Sequence, residues 1–182
     1  MKSMFYIKID NDENNIRGTI YMIKEVNERR ELVSSILEKY SGMVYKLAYS
    51  RMKNTYDAED ILQEVLMKYM KLHSEFIDEN HEKAWFIRVT INCSKNLLTS
   101  AWFRKTTALE DNVTIDIKEN SEVYKYMLQL PKKYRTVIHL FYYEDMSTFE
   151  ISKALEVKES TIRSQLHRAR NLLKDTVKGV EL

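Results

Sequence analysis

Residues 147–170 read STFEISKALEVKESTIRSQLHRAR, and this stretch decides the fold more than any other. Ser147 followed by Glu150 forms a capping-box pattern, which predicts a helix that begins there. The tripeptide at 155–157 fits a turn, and a second helix follows it. One apolar stripe with spacings of four, three and four residues runs along that second helix. Its members are Ile162, Leu166, Ala169 and Leu173. The stretch is therefore predicted to form a helix-turn-helix.

The first of these helices is expected to have an apolar inner face, formed by Phe149, Ile151, Ala154 and Leu155. The second helix has a polar outer face, half of which is basic, formed by Thr161, Arg163, Ser164, His167, Arg168 and Arg170. The turn contains Glu156, where such motifs commonly have glycine. A non-glycine residue in a left-handed conformation costs about 1 kcal/mol, so this turn is expected to be strained or differently shaped.

A basic outer face on such a helix is typical of DNA binding, because the major groove admits one helix. Side chains near the N-terminal end of that helix read base edges, and later residues hold phosphates. The predicted base-reading residues are Glu159, Ser160, Thr161, Arg163, Ser164 and His167. The predicted backbone contacts are Lys158, Arg168, Arg170 and Lys174. A helical hairpin with a solvated cationic face is the alternative.

The composition of the 182-residue chain favours a mostly helical protein, since it has only three glycines and one proline. Those glycines lie too far apart for a phosphate-binding loop. The single cysteine excludes an internal disulfide and has no metal-ligand spacing with the four histidines. No catalytic residue, metal or cofactor is therefore expected. The absence of a disulfide suits the reducing cytosol, which predicts a cytoplasmic protein. No apolar run approaches the roughly 18 residues of a membrane span, so no membrane insertion is expected.

Charge is distributed unevenly along the chain, although the net charge is only +2. Residues 83–105 and 158–174 are basic, whereas acids concentrate in 57–64 and 110–122. The basic segment 83–105 also contains four aromatic residues, Trp85, Phe86, Trp102 and Phe103. These side chains are expected either in the core or on a surface that stacks on bases. Such a chain is suited to two kinds of partner.

Breaks in helical periodicity divide the rest of the chain. Two helices are predicted within 24–53, meeting near Ser41-Gly42, and the next spans 57–73 with Asp57 as its N-cap. Two further helices, 82–91 and 94–104, are separated by a short loop at Asn92-Cys93. Residues 105–120 lose periodicity and form a candidate linker, and a second helical unit follows at 121–178. Residues 1–21 fit this pattern poorly, and one hypothesis is that translation begins at Met22.

The helix at 57–73 has an acidic face, which a DNA phosphate backbone would repel. Met67 lies within that polar face, where an adaptable apolar side chain suits a contact surface. A solvated amphipathic helix is the plain alternative.

The motifs, in this order, resemble those of a bacterial RNA polymerase sigma factor of the extracytoplasmic-function (ECF) group of the sigma-70 family. DAEDILQEV at 57–65 resembles region 2.2, and AWFIRVTINCSKNLL at 84–98 resembles regions 2.3 and 2.4. LPKKYRTVIHLFYYEDMSTFEISKAL at 130–155, with TIRSQLHRAR at 161–170, resembles region 4. The resemblance covers roughly 32–104 and 121–175.

This resemblance implies an all-α fold of two small helical domains joined by a flexible linker. The implied arrangement is an N-terminal extension at 1–23, region 2 at 24–104, the linker at 105–120 and region 4 at 121–182.

The resemblance also implies two partners, core RNA polymerase and promoter DNA. Polymerase would be bound through its β′ clamp helices and β flap, and an anti-sigma factor is a further implied partner. The implied clamp-binding residues are Asp57, Asp60, Gln63, Glu64, Met67 and Lys68. A base flipped out of the −10 element would be bound by the residues around the predicted loop, Arg88, Asn92, Ser94, Lys95 and Asn96. The helix-turn-helix would read the −35 element.

Two other function classes compete with this interpretation. A stand-alone helix-turn-helix regulator would explain 147–174 but would leave 57–71 and 83–105 without a role. An enzyme is disfavoured, because no nucleophile–base pattern accompanies the histidines.

Overall fold

The computed structural model describes the backbone of residues 13–72, 76–103 and 122–178, and every regular element in those ranges is an α-helix. This confirms the predicted all-α class. The helices are α1 (Glu13–Met52), α2 (Thr55–Met70), α3 (Glu79–Phe103), α4 (Glu122–Gln129), α5 (Lys132–Tyr142), α6 (Thr148–Leu155) and α7 (Glu159–Lys178). The predicted linker at 105–120 and most of the predicted extension at 1–23 lie outside the described residues.

The chain divides into two units, residues 1–39 and residues 40–182. The first unit contains the N-terminal part of α1, where Met22, Ile23 and Val26 are exposed. We call residues 40–103 of the second unit the N-terminal lobe and residues 122–178 the C-terminal lobe. Among the helices described here, none has the length and hydropathy that crossing a membrane requires.

Helix α1 continues through Ser41-Gly42, so the prediction of two helices meeting there is wrong. Val44 and Leu47 follow Tyr40 at helical spacing, and all three side chains are buried. Burying Val44 and Leu47 contributes about 1.5–3 kcal/mol each. A glycine inside a helix costs only about 1 kcal/mol, so packing outweighs its effect.

Helix α2 begins earlier than predicted, because Asn54 rather than Asp57 is its N-cap. The Asn54 side chain accepts a hydrogen bond of 2.9 Å from the backbone N–H of Asp57. The predicted cap at Asp57 is therefore wrong, and its carboxylate instead lies in the first turn, where the helix dipole favours a negative charge. Ala58, Ile61 and Val65 form the buried face of α2.

Helix α3 runs unbroken through Asn92-Cys93, and the predicted loop there is wrong. Cys93 and Ser94 are fully buried. The Ser94 hydroxyl donates to the Thr90 carbonyl, and the Thr90 hydroxyl donates to the Phe86 carbonyl, at 2.7 Å in each case. Such bonds satisfy polar side chains inside a helix, so these residues need no loop.

Aromatic rings fill the centre of the N-terminal lobe. Phe86 is fully buried and stacks on Tyr40 and Tyr69, with ring centroids 4.3 and 5.1 Å away. The Tyr40 and Tyr69 hydroxyls donate to Glu82 at 2.7 and 3.0 Å. Trp85 meets Phe86 edge to face at 5.1 Å. Phe86 and Trp85 therefore belong to the core packing, whereas the side chains of Trp102 and Phe103 lie outside the described residues.

The C-terminal lobe contains the predicted helix-turn-helix. Ser147 and Glu150 form a complete capping box at the start of α6. Along α7, Ile162, Leu166 and Ala169 are buried and Leu173 is half-buried, as predicted. Glu156 has a φ of 59°, which confirms a strained, left-handed turn.

Phe149 is 57% exposed, so its predicted place on the inner face is wrong. Ile151 lies two residues further along α6 and is buried, and two residues rotate a helix by about 200°, to the opposite side.

Candidate functional site

The outer face of α2 presents carboxylates to solvent. Asp60 and Gln63 are exposed, and Met67 is 54% exposed. Asp57 and Glu64 are half-buried and Lys68 is exposed, so all six predicted residues share one accessible face. Burial, and then the charge of Asp60, raises the pKa of Asp57.

Lys68 is held at the edge of this face by two groups. Its ammonium pairs with Glu64 at 2.8 Å and donates to the Cys93 sulfur at 3.4 Å. The hydrogen bond from Lys68 lowers the pKa of Glu64, whereas burial raises the pKa of the Cys93 thiol. Because Lys68 offsets Glu64, the acidity of the face comes chiefly from Asp57 and Asp60.

Two apolar residues that the sequence reasoning missed extend this face. Tyr56 and Met70 are 68% and 60% exposed. They lie eleven residues before and three residues after Met67, spacings that return to nearly the same side of a helix. That spacing was the signal in the sequence. The face therefore combines carboxylates with adaptable apolar side chains, a composition suited to a protein partner.

A polar row on α3 is the second accessible surface. Arg88, Asn92, Lys95 and Asn96 are exposed, at spacings of four, three and one residues that place them along one side of the helix. Ser94 does not join this row, because it is buried with its hydroxyl bonded to Thr90. Ser94 is therefore inaccessible to DNA in this structure, contrary to its predicted role.

The polar face of α7 is the third surface. Eight of the predicted residues are exposed, and Glu159 and Thr161 are half-buried. The exposed ones are Lys158, Ser160, Arg163, Ser164, His167, Arg168, Arg170 and Lys174.

The Glu159 carboxylate was predicted to contact a base, but in the structure it bonds to two neighbouring side chains. Its Oε1 accepts from the Thr148 hydroxyl at 2.6 Å and from Nη2 and Nε of Arg163 at 2.7 and 3.1 Å. The hydrogen bonds from Thr148 and then Arg163 lower the pKa of Glu159. One carboxylate thus joins α6 to α7 and fixes the Arg163 guanidinium group.

Further along α7, tyrosines of α5 hold two arginines, and no sequence pattern indicates these contacts. Nε of Arg170 donates to the Tyr142 hydroxyl at 2.9 Å, and its guanidinium lies 5.3 Å from the Phe141 ring centre. A hydrogen bond from Arg168 lowers the pKa of Tyr134. These contacts orient the cationic part of the α7 face.

Within the described ranges, His, Cys, Asp and Glu residues do not group in threes as a metal site. The three surfaces can instead bind macromolecules, one through acidic and apolar groups and two through basic and amide groups.

Two family models match the chain, one in each lobe. The model described as Sigma-70 region 2 matches residues 36–104, and the model described as Sigma-70, region 4 matches residues 121–173.

Two proteins with sequences similar to this chain are described as ECF RNA polymerase sigma factors. The ECF RNA polymerase sigma factor SigW of Bacillus subtilis (strain 168) is 24% identical over 180 residues, covering 87% of this chain and 96% of SigW. The ECF RNA polymerase sigma factor SigM of the same organism is 28% identical over 155 residues, covering 78% of this chain and 93% of SigM.

Solved structures share the fold. The sigma factor RpoE, in complex with the anti-sigma factor NepR from Bartonella quintana, has a TM-score of 0.63 and 22% identity, covering 80% of this chain and 96% of RpoE. CnrH, in complex with the cytosolic domain of CnrY, has a TM-score of 0.58 and 19% identity, covering 82% of this chain and 90% of CnrH.

Proposed function

The chain belongs to the sigma-70 family of RNA polymerase sigma factors, in its ECF group. From this premise we propose which partner each of its surfaces binds. It is an initiation factor that binds core RNA polymerase and directs transcription from specific promoters. Sigma factors are non-catalytic, so its surfaces act by binding. The assignment of partners rests on one observation: the exposed face of α2 is acidic, whereas the exposed faces of α3 and α7 are basic.

The acidic face of α2 binds the β′ clamp helices of polymerase. Its carboxylates supply specificity and association rate, as complementary charges do across interfaces. Met67, with Tyr56 and Met70 beside it, supplies apolar area that would otherwise remain in contact with water. DNA phosphates are excluded from this face by the same charges.

The basic surfaces bind promoter DNA. The α3 row of Arg88, Asn92, Lys95 and Asn96 meets the −10 element, where the amides can hydrogen-bond an unstacked base and the cations can hold phosphates. The α7 face meets the −35 element in the major groove. Arg163 reads a base there, and Glu159 acts as the positioning residue that holds Arg163.

Further partners and the location follow from the same premise. The C-terminal lobe contacts the β flap of polymerase, and the protein works in the cytoplasm, where polymerase is found. An anti-sigma factor is the expected inhibitor, since RpoE and CnrH are described in complexes with the anti-sigma factor NepR and the cytosolic domain of CnrY.

An electrophoretic shift with promoter DNA, with and without core polymerase, tests this function. We expect a sequence-specific shift only when both proteins are present. Tight sequence-specific binding by the isolated chain would instead identify a stand-alone helix-turn-helix regulator.

A further inference from the structure

Two tyrosines of α5 contact α7, although α5 lies outside the helix-turn-helix at 147–170. Tyr142, at the C-terminal end of α5, is 53% exposed, and its hydroxyl accepts a hydrogen bond of 2.9 Å from Nε of Arg170. The Arg170 guanidinium also lies 5.3 and 5.6 Å from the ring centres of Phe141 and Tyr142, within the range of cation–π attraction. The end of α5 therefore fixes the direction of an exposed arginine.

The contact between Tyr142 and Arg170 leaves hydrogen-bond donors unused in both side chains. A tyrosine hydroxyl that accepts a hydrogen bond still has its own proton to donate. Among the described residues, the Nη groups of Arg170 have no hydrogen-bond partner. An exposed phenol beside an exposed guanidinium group suits an anion with several acceptor oxygens, such as a phosphate.

A similar pair lies at the other end of α5. The Tyr134 hydroxyl accepts from Arg168, and the Lys133 ammonium lies 4.8 Å from the Tyr134 ring centre. The hydrogen bond from Arg168 is the main cause of the lowered pKa of Tyr134, and the Lys133 charge adds to it. A phenol of lowered pKa is a stronger hydrogen-bond donor. Both ends of α5 thus present a tyrosine that is bonded to an arginine of α7.

The spacing of the two pairs matches the width of a DNA groove. Ala169 is buried between Arg168 and Arg170, and two residues rotate a helix by about 200°, so the arginines lie on opposite flanks of α7. Tyr134 and Tyr142 lie about 12 Å apart along α5, at about 1.5 Å per residue. Because these distant residues of α5 meet neighbouring positions of α7, α5 crosses α7. The major groove is about 12 Å wide, so the pairs are spaced to reach its two edges.

We propose that α5 extends the DNA-binding surface of the C-terminal lobe beyond the helix-turn-helix. Tyr142 and Arg170 together bind a backbone phosphate at one edge of the −35 major groove, and Tyr134 and Arg168 bind a phosphate of the opposite strand. Each tyrosine donates to its phosphate and also fixes its arginine beforehand, which reduces the rotamer freedom lost on binding. This inference rests on the proposed function.

Removing one hydroxyl tests the first phosphate contact. Tyr142→Phe keeps the ring beside Arg170 but loses the O–H donor. Holoenzyme binding to a duplex taken from upstream of a start site mapped with this protein should weaken about tenfold, as for a lost hydrogen bond to a charged group. The loss should be the same for single-base −35 variants, because phosphates carry no sequence information. Tyr126→Phe, at a half-buried tyrosine of α4, is the control and should bind like the native protein.

A phosphate scan separates DNA contact from a purely structural role of the tyrosines. Neutral methylphosphonate would replace each phosphate around the −35 element in turn. One replacement should weaken the native holoenzyme but have little further effect on Tyr142→Phe. A second replacement, on the opposite strand, should behave in the same way for Tyr134→Phe. If the tyrosines only held α5 on α7, the scans of both variants would run parallel to the native scan, and that result would overturn the proposal.

Salt dependence tests the arginine of the first pair. Arg170→Ala should reduce the slope of the logarithm of the binding constant against the logarithm of salt concentration by about 0.9, the value for one phosphate contact. Arg170→Lys keeps the positive charge and should keep the slope. An unchanged slope in Arg170→Ala would show that this residue meets no phosphate.

The outcomes separate this inference from the proposed function. Sequence-specific binding by the holoenzyme, with unchanged phosphate scans in both tyrosine variants, would overturn the inference and leave the proposed function intact. A native holoenzyme that bound the duplex no more tightly than a scrambled sequence would reject the proposed function, and the −35 phosphate contacts with it.

Discussion

Arg163 lies on the exposed face of α7, where Glu159 holds its guanidinium group by two hydrogen bonds to one oxygen. A long cationic side chain loses rotamer freedom when it binds DNA, and a partner that fixes it beforehand reduces that loss. In the proposed function, this residue pair would therefore link a local contact to promoter selectivity.

Replacing Arg163 with alanine should alter selectivity at one −35 base pair by about 1–3 kcal/mol, because a bidentate base contact is lost. Binding of the holoenzyme to a panel of single-base −35 variants would measure it. A uniform loss over the whole panel would show that Arg163 contacts phosphate instead.

Replacing Glu159 with glutamine should lower selectivity at the same base pair by less than Arg163→Ala does. Arg163 would remain but would be less firmly held, and the loss of a negative charge near phosphates should not reduce overall affinity. The same panel measures it. A change of preference at a different base pair would make Glu159 a base reader after all.

The accessible positions on α2 and α7 could be predicted from the sequence, because helical spacing separates buried from exposed residues. Ser94 could not be placed in this way. Serine is a polar residue type and is therefore expected at the surface. A hydrogen bond from its hydroxyl to the carbonyl four residues earlier allows Ser94 to be buried. Residue type alone does not reveal that local partner.

At the scale of whole helices, α1 and α3 show where sequence signals mislead. Gly42 suggested a boundary in α1, and Asn92-Cys93 suggested one in α3, yet both helices continue. In each case buried side chains on either side of the suspected break form one continuous apolar face. The free energy gained by burying that face exceeds the cost of the poor helix formers at the suspected break. The capping box at Ser147 is a stronger signal, because its residue types supply specific hydrogen bonds. The cap of α2 was wrongly assigned to Asp57, because Asn54, three residues earlier, can make the same kind of bond.

Replacing Gly42 with alanine should stabilise the protein by about 0.5–1 kcal/mol, since alanine restricts the unfolded chain and favours the helix. An added Cβ meets no atom within 4 Å at this position. Urea unfolding followed by circular dichroism measures the change. A loss of stability would mean that the helix needs glycine there.

Reversing the charges of Asp60 and Glu64 to lysine should weaken binding to core polymerase about tenfold or more, mainly through slower association, and should spare the fold. Surface plasmon resonance measures the rates, and Asp175→Lys on α7 is the control. Unchanged assembly would remove α2 from the polymerase interface.

At the scale of the whole molecule, the packing of the C-terminal lobe on the end of α1 could not be predicted from the sequence. Arg135 and Ser50 are 85 residues apart, and nothing in the local pattern at either position indicates that they meet. Two helical units were predictable from periodicity, but their packing depends on shape and on buried partners that only the fold brings together.

Replacing Arg51 with methionine should stabilise the protein by about 1–3 kcal/mol, because it removes a buried cation that faces Arg135 and whose Nε has no hydrogen-bond partner among the described residues. Urea unfolding followed by circular dichroism measures the change. A loss of stability would show that the hydrogen bond from Arg51 to the Thr136 hydroxyl outweighs the cost of the buried charge.

Initiation by sigma-free core polymerase on genomic DNA tests the central claim most directly. With the folded protein added, the 5′ ends of the transcripts should fall at discrete sites that share upstream elements, and the Asp60/Glu64 reversal should abolish them. The account would be contradicted if the folded native protein bound core polymerase and still directed no initiation at any site.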